Sequence, residues 1–215
     1  MTALGIDAAL GTFSAAVIAR GQKPASIELP GKVALESGLR AISDLVAGSD
    51  SRVDRIGVGI GPGTFTGVRI AISYAKALAL GWKVPLCAVL TFDALEYGLD
   101  VGTRPLLTAV RGREGVVSIR LRTVAGERRA SGYISDVLAS LQPVLPRSFV
   151  MTGNGAEDVR AALGERATDV TILPRATGPA ALAIAMLAAE REPARSLHEV
   201  RADYGELPPA RVPKE

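Results

Sequence analysis

Apolar and polar residues alternate along the first half of the chain in a way that predicts strands and helices in turn. Short runs rich in β-branched residues predict strands, and longer runs with apolar residues every three or four positions predict helices. Three strands followed by alternating helices and strands indicate a mixed sheet with helices on its faces. The predicted strands are residues 3–7, 12–19, 25–29, 55–60 and 84–89, and the predicted helices are residues 33–47, 68–80 and 91–99.

The second half of the chain repeats this order, beginning with a hairpin of strands 106–110 and 115–123. After the hairpin we expect helices at 134–141, 156–163 and 179–190 and strands at 148–152 and 169–173. Residues 98–105 are the expected boundary, which gives an N-terminal subdomain 1–102 and a C-terminal subdomain 103–192. Helix 179–190 is a candidate to pack back on the first subdomain, and the proline-bearing tail 193–215 is expected to be extended.

Composition bounds the class of protein. A chain of 215 residues with 48% hydrophobic residues can bury a substantial core. Aromatic residues make up only 4%, so valine, isoleucine, leucine and alanine must build that core. The formal net charge of +3 is too small and too dispersed to indicate a nucleic-acid groove by itself.

Several features favour a cytoplasmic protein without a membrane anchor. Asp7 interrupts the apolar N-terminal run, so a secretory signal is not expected. The apolar helix candidate 179–189 is too short to cross a bilayer. Cys87 is the single cysteine, so no intramolecular disulfide can form, which fits a reducing compartment.

The most informative motif is Gly-Pro-Gly-Thr-Phe-Thr-Gly-Val-Arg at residues 61–69, which joins an apolar strand to an apolar helix. Glycine permits backbone angles and close approaches that side chains forbid, and the new helix directs unpaired N–H groups at the turn. Such a turn is suited to receive a phosphate or the backbone of a partner. The alternative is that the glycines only form a tight turn, since neither a Walker loop nor a dinucleotide fingerprint is present.

Taken whole, this motif resembles the GPGSFTG[LV]R signature of the bacterial YeaZ/TsaB family, with Thr64 in place of the commoner serine. The opening Leu4-Gly-Ile-Asp-Ala-Ala9 and the helix ending Ala77-Leu-Ala-Leu-Gly81 are also similar to that family. The resemblance covers about the first hundred residues. It implies an α/β fold of two ribonuclease-H-like subdomains, each a mixed sheet flanked by helices, as in the actin, Hsp70 and sugar-kinase superfamily.

The resemblance also implies a function. A YeaZ/TsaB protein is expected to be a non-catalytic accessory subunit that dimerises with the transferase TsaD, works with the ATPase TsaE, and supports threonylcarbamoylation of adenosine 37 in tRNA. Alone it is expected to form a homodimer, to hold no cofactor, and to meet tRNA only through the complex. A nucleotide at the complex interface stays an open possibility. The alternative from a different class is an independent small actin-fold kinase or ATPase.

The chain is poor in groups for metal or nucleophilic catalysis. One histidine, His198, and one cysteine cannot supply the three or four ligands of a zinc site, and a stand-alone peptidase is therefore not expected. Residues 33–39 carry no histidine where TsaD has an H-x-x-x-H helix. We accordingly predict no catalytic residue and no metal ligand, and expect His198 on the surface.

Another segment resembles the family only with departures. Arg111, Arg113 and Glu114 resemble part of a D-A-R-x-x-E-V-Y segment of the family, but Ala109 stands at its aspartate and Val117 or Ser118 at its tyrosine. Any role carried over to this segment is therefore in doubt.

Asp7 is the strongest candidate among the carboxylates for binding a ligand. In phosphotransfer members of the superfamily an aspartate ending the first strand helps to bind metal and phosphate, which makes Asp7, Gly61 and Gly63 the candidate cofactor-binding residues. The alternative is that Asp7 braces its turn through local hydrogen bonds.

Two helices are apolar around most of their circumference. In helix 68–80 the strongly polar residues Arg69, Ser73 and Lys76 share one narrow stripe, which indicates burial on more than one side. The resemblance implies that helices 33–47 and 68–80 form the dimer surface, and the alternative is that they lie deep in the core. The candidate interface residues are Leu35, Gly38, Ala41, Ile42, Leu45, Ala71, Ala75 and Leu78, and the motif-loop residues are Gly61, Pro62, Gly63, Thr64, Phe65, Thr66, Gly67 and Arg69.

Overall fold

The computed structural model describes residues 1–49, 52–166 and 169–205, which form two mixed sheets flanked by helices. The first sheet has the strand order β3-β2-β1-β4-β5 and the second the order β10-β9-β6-β7-β8. The strands are β1 (Thr2–Asp7), β2 (Thr12–Ala19), β3 (Ala25–Pro30), β4 (Arg55–Gly59), β5 (Leu86–Val89), β6 (Leu106–Arg111), β7 (Val116–Thr123), β8 (Gly126–Tyr133), β9 (Ser148–Thr152) and β10 (Asp169–Ile172). The helices are α1 (Ala34–Ala47), α2 (Phe65–Trp82), α3 (Thr91–Glu96), α4 (Ile134–Leu141), α5 (Ala156–Leu163) and α6 (Ala180–Glu190).

Each sheet is built from an antiparallel hairpin continued by parallel strands. In the first sheet β1 pairs antiparallel with β2 and parallel with β4, and in the second β6 pairs antiparallel with β7 and parallel with β9. A parallel pair requires a crossover, and helices between the strands supply it. The predicted pair of mixed sheets with flanking helices is confirmed.

The first sheet is covered by helices on both faces. Helices α1 and α2 pack on one face, where the largest apolar cluster lies, and α6 covers the other. A Cβ atom on Gly57 would lie 2.7 Å from the Ala188 Cβ and 2.8 Å from the Ile184 carbonyl oxygen. A Cβ atom on Gly5 would likewise overlap the backbone carbonyl oxygen of Ala181. Glycine in β1 and β4 therefore lets the alanine-rich helix α6 approach the strands closely.

The strand β8 is the element that the sequence pattern misses. Its residues, Gly-Glu-Arg-Arg-Ala-Ser-Gly-Tyr, are mostly exposed and show no apolar alternation. Backbone pairing with the whole of β7 holds this edge strand in place. Because that pairing needs no particular side chain, the amino-acid pattern carries little trace of it.

The helix α2 begins earlier than predicted. Thr64 has extended backbone angles and its carbonyl oxygen accepts the first hydrogen bond, from the Val68 N–H at 3.0 Å. The helix therefore starts at Phe65 rather than Val68, inside the motif. The second half of the motif is thus helical, and only its glycine-proline start forms the loop. Within the described residues, no helix is both long and apolar enough to cross a membrane.

The tail returns to the first sheet, as far as it is described. The Ala194 N–H donates to the Leu86 carbonyl at 2.9 Å, and the Asp203 N–H donates to the Ile60 carbonyl at 2.7 Å. Val200 is buried in the apolar cluster of that sheet. Residues 193–205 contain no helix or strand, and residues 206–215 of the expected extended tail lie outside the described residues.

A buried group of ion pairs joins the two sheets. Glu96 at the end of α3 receives hydrogen bonds from Arg120 Nε at 2.9 Å and from the Thr108 hydroxyl, and Arg120 Nη1 lies 2.6 Å from Asp93 Oδ1. The side chains of Arg120 and Glu96 are only 4% and 6% exposed. Arg191, just after α6, donates to the second oxygen of Asp93 at 2.7 Å. The network therefore links α3 and the end of α6 to the β6–β7 hairpin.

The pKa values of Asp93 and Arg120 are shifted so that both side chains stay charged. Burial alone would raise the pKa of Asp93, but hydrogen bonds from Arg120 and Arg191 outweigh burial and hold the pKa below its usual value. Burial likewise opposes the charge of Arg120, yet the hydrogen bond to Glu96 raises the pKa of Arg120. Each charge is thus compensated by a partner.

We predict that Arg120→Ala lowers the free energy of unfolding by about 3–5 kcal/mol, because it removes the buried cation that pairs with both Asp93 and Glu96. Arg122→Ala is the matched control: Arg122 Nη1 contacts the same Glu96 at 2.7 Å, but its side chain is 56% exposed. Its loss is expected to cost under about 1 kcal/mol. Urea unfolding measures both variants. Equal effects of the two substitutions would contradict the proposed importance of burial.

Candidate functional site

The motif loop lies against the turn between β1 and β2. The Thr64 N–H donates to the Ala9 carbonyl at 2.8 Å, and the Thr64 hydroxyl donates to the Ala8 carbonyl at 3.2 Å. The Gly61–Pro62 peptide bond is cis. These contacts fix the loop to the strand hairpin that carries Asp7.

The three glycines of the loop are each pressed against backbone of the same chain. A Cβ atom would collide with the carbonyl oxygen of Asp203 at Gly61, of Ala9 at Gly63 and of Ala8 at Gly67. Gly61 also has a positive φ of +101°, which Gly63 and Gly67 do not share. The three glycines of the motif therefore pack against backbone of the same chain, which is the contact that glycine makes possible here.

These contacts give Gly61 and Gly63 a role in packing, because a side chain at either position would overlap the tail or the β1–β2 turn. The assignment of Gly61 and Gly63 as cofactor-binding residues stays a prediction.

An aromatic stack covers the outer side of the loop. The rings of Phe65 and Tyr204 are stacked with their centroids 4.9 Å apart, and the guanidinium of Arg69 lies 4.8 Å from the centroid of Phe65. Phe65 is 56% exposed and Tyr204 is 37% exposed. The tail thus packs against the outer side of the motif, and the stacked rings of Phe65 and Tyr204 remain partly exposed to solvent.

We predict that Gly63→Val lowers the melting temperature, because its Cβ would overlap the Ala9 carbonyl and overpacking of this kind costs about 1–3 kcal/mol. Gly81→Ala is the control, because a Cβ at Gly81 meets no atom within 4 Å. Thermal unfolding followed by circular dichroism compares the two. If Gly63→Val melts at the wild-type temperature, the loop is less tightly packed than these contacts indicate.

Asp7 ends β1 and is buried, with 1% of its surface exposed. Its Oδ2 accepts a hydrogen bond from the Ala9 N–H at 3.2 Å, whereas its Oδ1 has no hydrogen-bond partner among the described residues. Burial raises the pKa of Asp7 to about 6, against smaller opposing effects from the Ala9 N–H and the charge of Arg175. The hydrogen bond from the Ala9 N–H to Asp7 Oδ2 agrees with the alternative that Asp7 braces its turn. That hydrogen bond does not involve Asp7 Oδ1.

Asp7 lines a cleft of about 370 Å³ between the two sheets. Residues from both subdomains form its walls, which are Asp7, Leu10, Thr12, Ser14, Glu28, Leu95, Gly153, Asn154, Ile172, Leu173, Pro174, Arg175 and Ala180. Sequence analysis did not identify Ser14, Asn154 or Arg175 as site residues, because no local motif marks them and only the packing of the two sheets brings them together.

The free energy of unfolding should depend on pH in a way that reveals the raised pKa of Asp7. Because the folded pKa of about 6 exceeds the ordinary value of 3.8, the stabilising contribution of protonated Asp7 is present below pH 3.8 and is lost as the pH rises through 6. We predict that Asp7→Asn raises the free energy of unfolding by roughly 3 kcal/mol at pH 8 and by little near pH 4.

The measurement for Asp7→Asn is urea unfolding across this pH range. Asp44→Asn is the control, since the Asp44 side chain is 76% exposed, and it should leave stability nearly unchanged at both ends of the range. A benefit of Asp7→Asn that is the same at pH 4 and pH 8 would contradict a raised pKa.

The structure corrects part of the predicted partner interface. Gly38, Ile42, Ala71 and Ala75 are buried in the core of the chain itself, and so cannot contact a partner in this conformation. Ala41, Leu45 and Leu78 are half-buried, and Leu35 is 69% exposed. The small residues therefore pack within the chain, which agrees with the alternative that the two helices lie deep in the core.

Gly38 shows what the small residues do. A Cβ there would lie 2.8 Å from the ring of Tyr74 and 3.2 Å from that of Phe13. The Tyr74 hydroxyl donates to the carbonyls of Ala34 and Leu35 at 3.0 and 2.8 Å. A side chain on residue 38 would separate α1 from α2, so the glycine permits their contact.

The leucines that are most exposed on these helices differ from most of the predicted interface residues. Leu35 and Leu39 on α1 are 69% and 44% exposed, and Leu80 on α2 is 71% exposed. We call these three residues the exposed leucines. They lie on the helical layer that covers one face of the first sheet, and Leu39 and Leu80 were not among the predicted interface residues.

The remaining candidates of the sequence lie apart from the cleft. Arg111 pairs with Asp158 at 2.7 Å, Arg113 lies 5.1 Å from the ring of Tyr133, and Glu114 is exposed beside them. His198 is exposed, as expected. Among the described residues, no three His, Cys, Asp or Glu side chains are grouped so that they could hold a metal ion.

Two mixed sheets enclosing a cleft define the class of protein, an actin-like ATPase fold. A Bacteroides thetaiotaomicron protein with this fold and of unknown function aligns over 86% of this chain and 95% of its own, with a TM-score of 0.55 and 11% identity. A Pseudomonas aeruginosa protein, described as similar to peptidase YEAZ, aligns over 95% of this chain and 99% of its own, with a TM-score of 0.71 and 23% identity.

The comparison by sequence identifies the family. The family model described as TsaD, tRNA N6-adenosine threonylcarbamoyltransferase, matches residues 34–197. The tRNA threonylcarbamoyladenosine biosynthesis protein TsaB of Escherichia coli is 33% identical over 122 residues, which are 54% of this chain and 53% of that protein. The chain therefore belongs to the TsaD family, it has an actin-like fold, and over about half of its length it is similar to TsaB proteins. The match spans about half the length of this curated relative.

Proposed function

We propose that this chain is an accessory subunit in the biosynthesis of threonylcarbamoyladenosine in tRNA, and that it acts by binding a TsaD-like transferase subunit. The family supports the pathway, because the curated relative in Escherichia coli is described as a threonylcarbamoyladenosine biosynthesis protein. The partner supplies the chemistry in this proposal, and a TsaE-like ATPase completes the assembly.

The observation that carries the proposal is the apolar surface of the two helices that follow the strand hairpin and the motif. The exposed leucines project from α1 and α2, whose other faces are already packed on the first sheet and on each other. Burying a leucine side chain contributes about 1.5–3 kcal/mol, so three of them provide a substantial part of an interface. The same surface would join two copies of the chain when the partner is absent.

The motif contributes to this surface through its shape. Its glycines fix the start of α2 against the β1–β2 turn, and α2 in turn positions Leu80 at the other end. A subunit of this kind influences its partner only through different affinities for the partner's conformations. In the proposal, the rigid loop keeps the binding surface in one geometry.

We predict that omitting this chain from a mixture of the TsaD-like, TsaE-like and carbamoyl-adenylate-forming proteins of the same organism reduces threonylcarbamoyladenosine in tRNA to background. Mass spectrometry of digested tRNA provides the measurement. Leu39→Glu and Leu80→Glu should reduce the product in the same way, because binding would bury an unpaired charge. Val124→Glu, on a residue that is 93% exposed in the β7–β8 turn, is the control.

The same assay separates the proposal from an independent kinase or ATPase. Asp7→Asn should preserve modification if Asp7 does no phosphoryl chemistry. Loss of modification by Asp7→Asn with normal folding and partner binding would favour the alternative. Full activity without the chain, or with both leucine variants, would refute the accessory role.

A further inference from the structure

The cleft between the sheets contains an unexplained buried polar group. Asp7 Oδ1 is buried without a hydrogen-bond partner among the described residues, although the other oxygen of the same carboxylate is satisfied by the Ala9 N–H. Leaving a buried polar atom unpaired is unfavourable, and more so when the group is charged. A cleft of about 370 Å³ opens beside Asp7, which is within the size range of small-molecule sites.

The walls of the cleft have two kinds of chemistry. Asp7 and Glu28 are acceptors for a positively charged group, whereas Arg175 supplies the single cationic side chain among the described lining residues. Between these charges the walls are apolar, with contributions from Leu10, Leu95, Ile172 and Leu173. The Ser14 hydroxyl is already engaged, since it accepts the N–H of Ala181 at the start of α6.

We propose that this cleft binds a small aliphatic amino acid, with its ammonium group on Asp7 and its carboxylate on Arg175. An ammonium against the Asp7 carboxylate places a cation beside a buried acidic group that has a single hydrogen bond among the described residues, and the guanidinium is suited to a carboxylate. The apolar walls receive the aliphatic side chain. This site is independent of the accessory role, which uses α1 and α2 on the opposite face of the first sheet from α6.

The charges argue against a nucleoside triphosphate in the same place. A triphosphate would bring several negative charges toward Asp7 and Glu28, with only Arg175 to balance them among the described lining residues. The motif glycines are not among the described residues that line this cleft. An amino acid, with one charge of each sign, matches the charges of the cleft.

The test is titration of the full chain with L-valine and L-leucine, followed by calorimetry and by backbone NMR shifts. We expect saturable binding with a Kd below about 1 mM, and at least about tenfold weaker binding in Asp7→Asn and in Arg175→Gln. Arg147→Gln, on an exposed residue outside the cleft, is the control and should bind as the wild type does. Isobutylamine, which is valine without its carboxylate, should bind about tenfold more weakly than valine to the wild type.

The competing outcomes are measured in the same experiment. Titration with magnesium ATP and with inorganic phosphate tests for an anion site, and saturable binding of either one without binding of the amino acids would overturn the proposal. It would also be overturned if neither amino acid binds up to about 10 mM, or if binding persists unchanged in both cleft variants. Since Arg175 is exposed, its variant is expected to fold even if Asp7→Asn does not.

Discussion

The close approach of backbone to backbone in the first subdomain is the constraint on which the other features depend. Gly5 and Gly57 let α6 pack closely on one face of the first sheet. Gly61, Gly63 and Gly67 let the motif pack closely against the β1–β2 turn and the tail. Side chains at these positions would push the elements apart. The position of Asp7 follows from the same contacts, because its Oδ1 occupies the space that a Cβ on Gly59 would need.

This packing separates the two proposed binding surfaces of the molecule. The face of the first sheet that carries α1 and α2 presents the exposed leucines, whereas the other side carries α6 and the cleft that Asp7 lines. The ion-pair network around Arg120 and Glu96 links α3, which follows the first sheet, to β7 of the second sheet. Binding to a partner and binding to a small molecule can therefore occur on one chain without competing for the same residues.

The tail shows how a segment with little sequence pattern gains a defined position. Val200 inserts into the apolar cluster, the Asp203 backbone pairs with Ile60, and Tyr204 stacks on Phe65. These contacts tie the tail to the strand and the loop of the family motif. The tail therefore supports the motif although its sequence has little pattern, because most of its contacts use backbone or single side chains.

The sequence by itself determined the order of most helices and strands, the family motif and the poverty of metal ligands, because these depend on local periodicity and on residue type. It did not reveal β8, whose pairing uses backbone alone, nor did it separate the buried side of α1 and α2 from the exposed side. Ile42 and Ala71 share the apolar character of Leu39 and Leu80, and only the neighbouring elements decide which of them are covered. The cleft likewise exists only in the tertiary structure, because Asp7 and Arg175 are distant in sequence and meet only when the two sheets pack together.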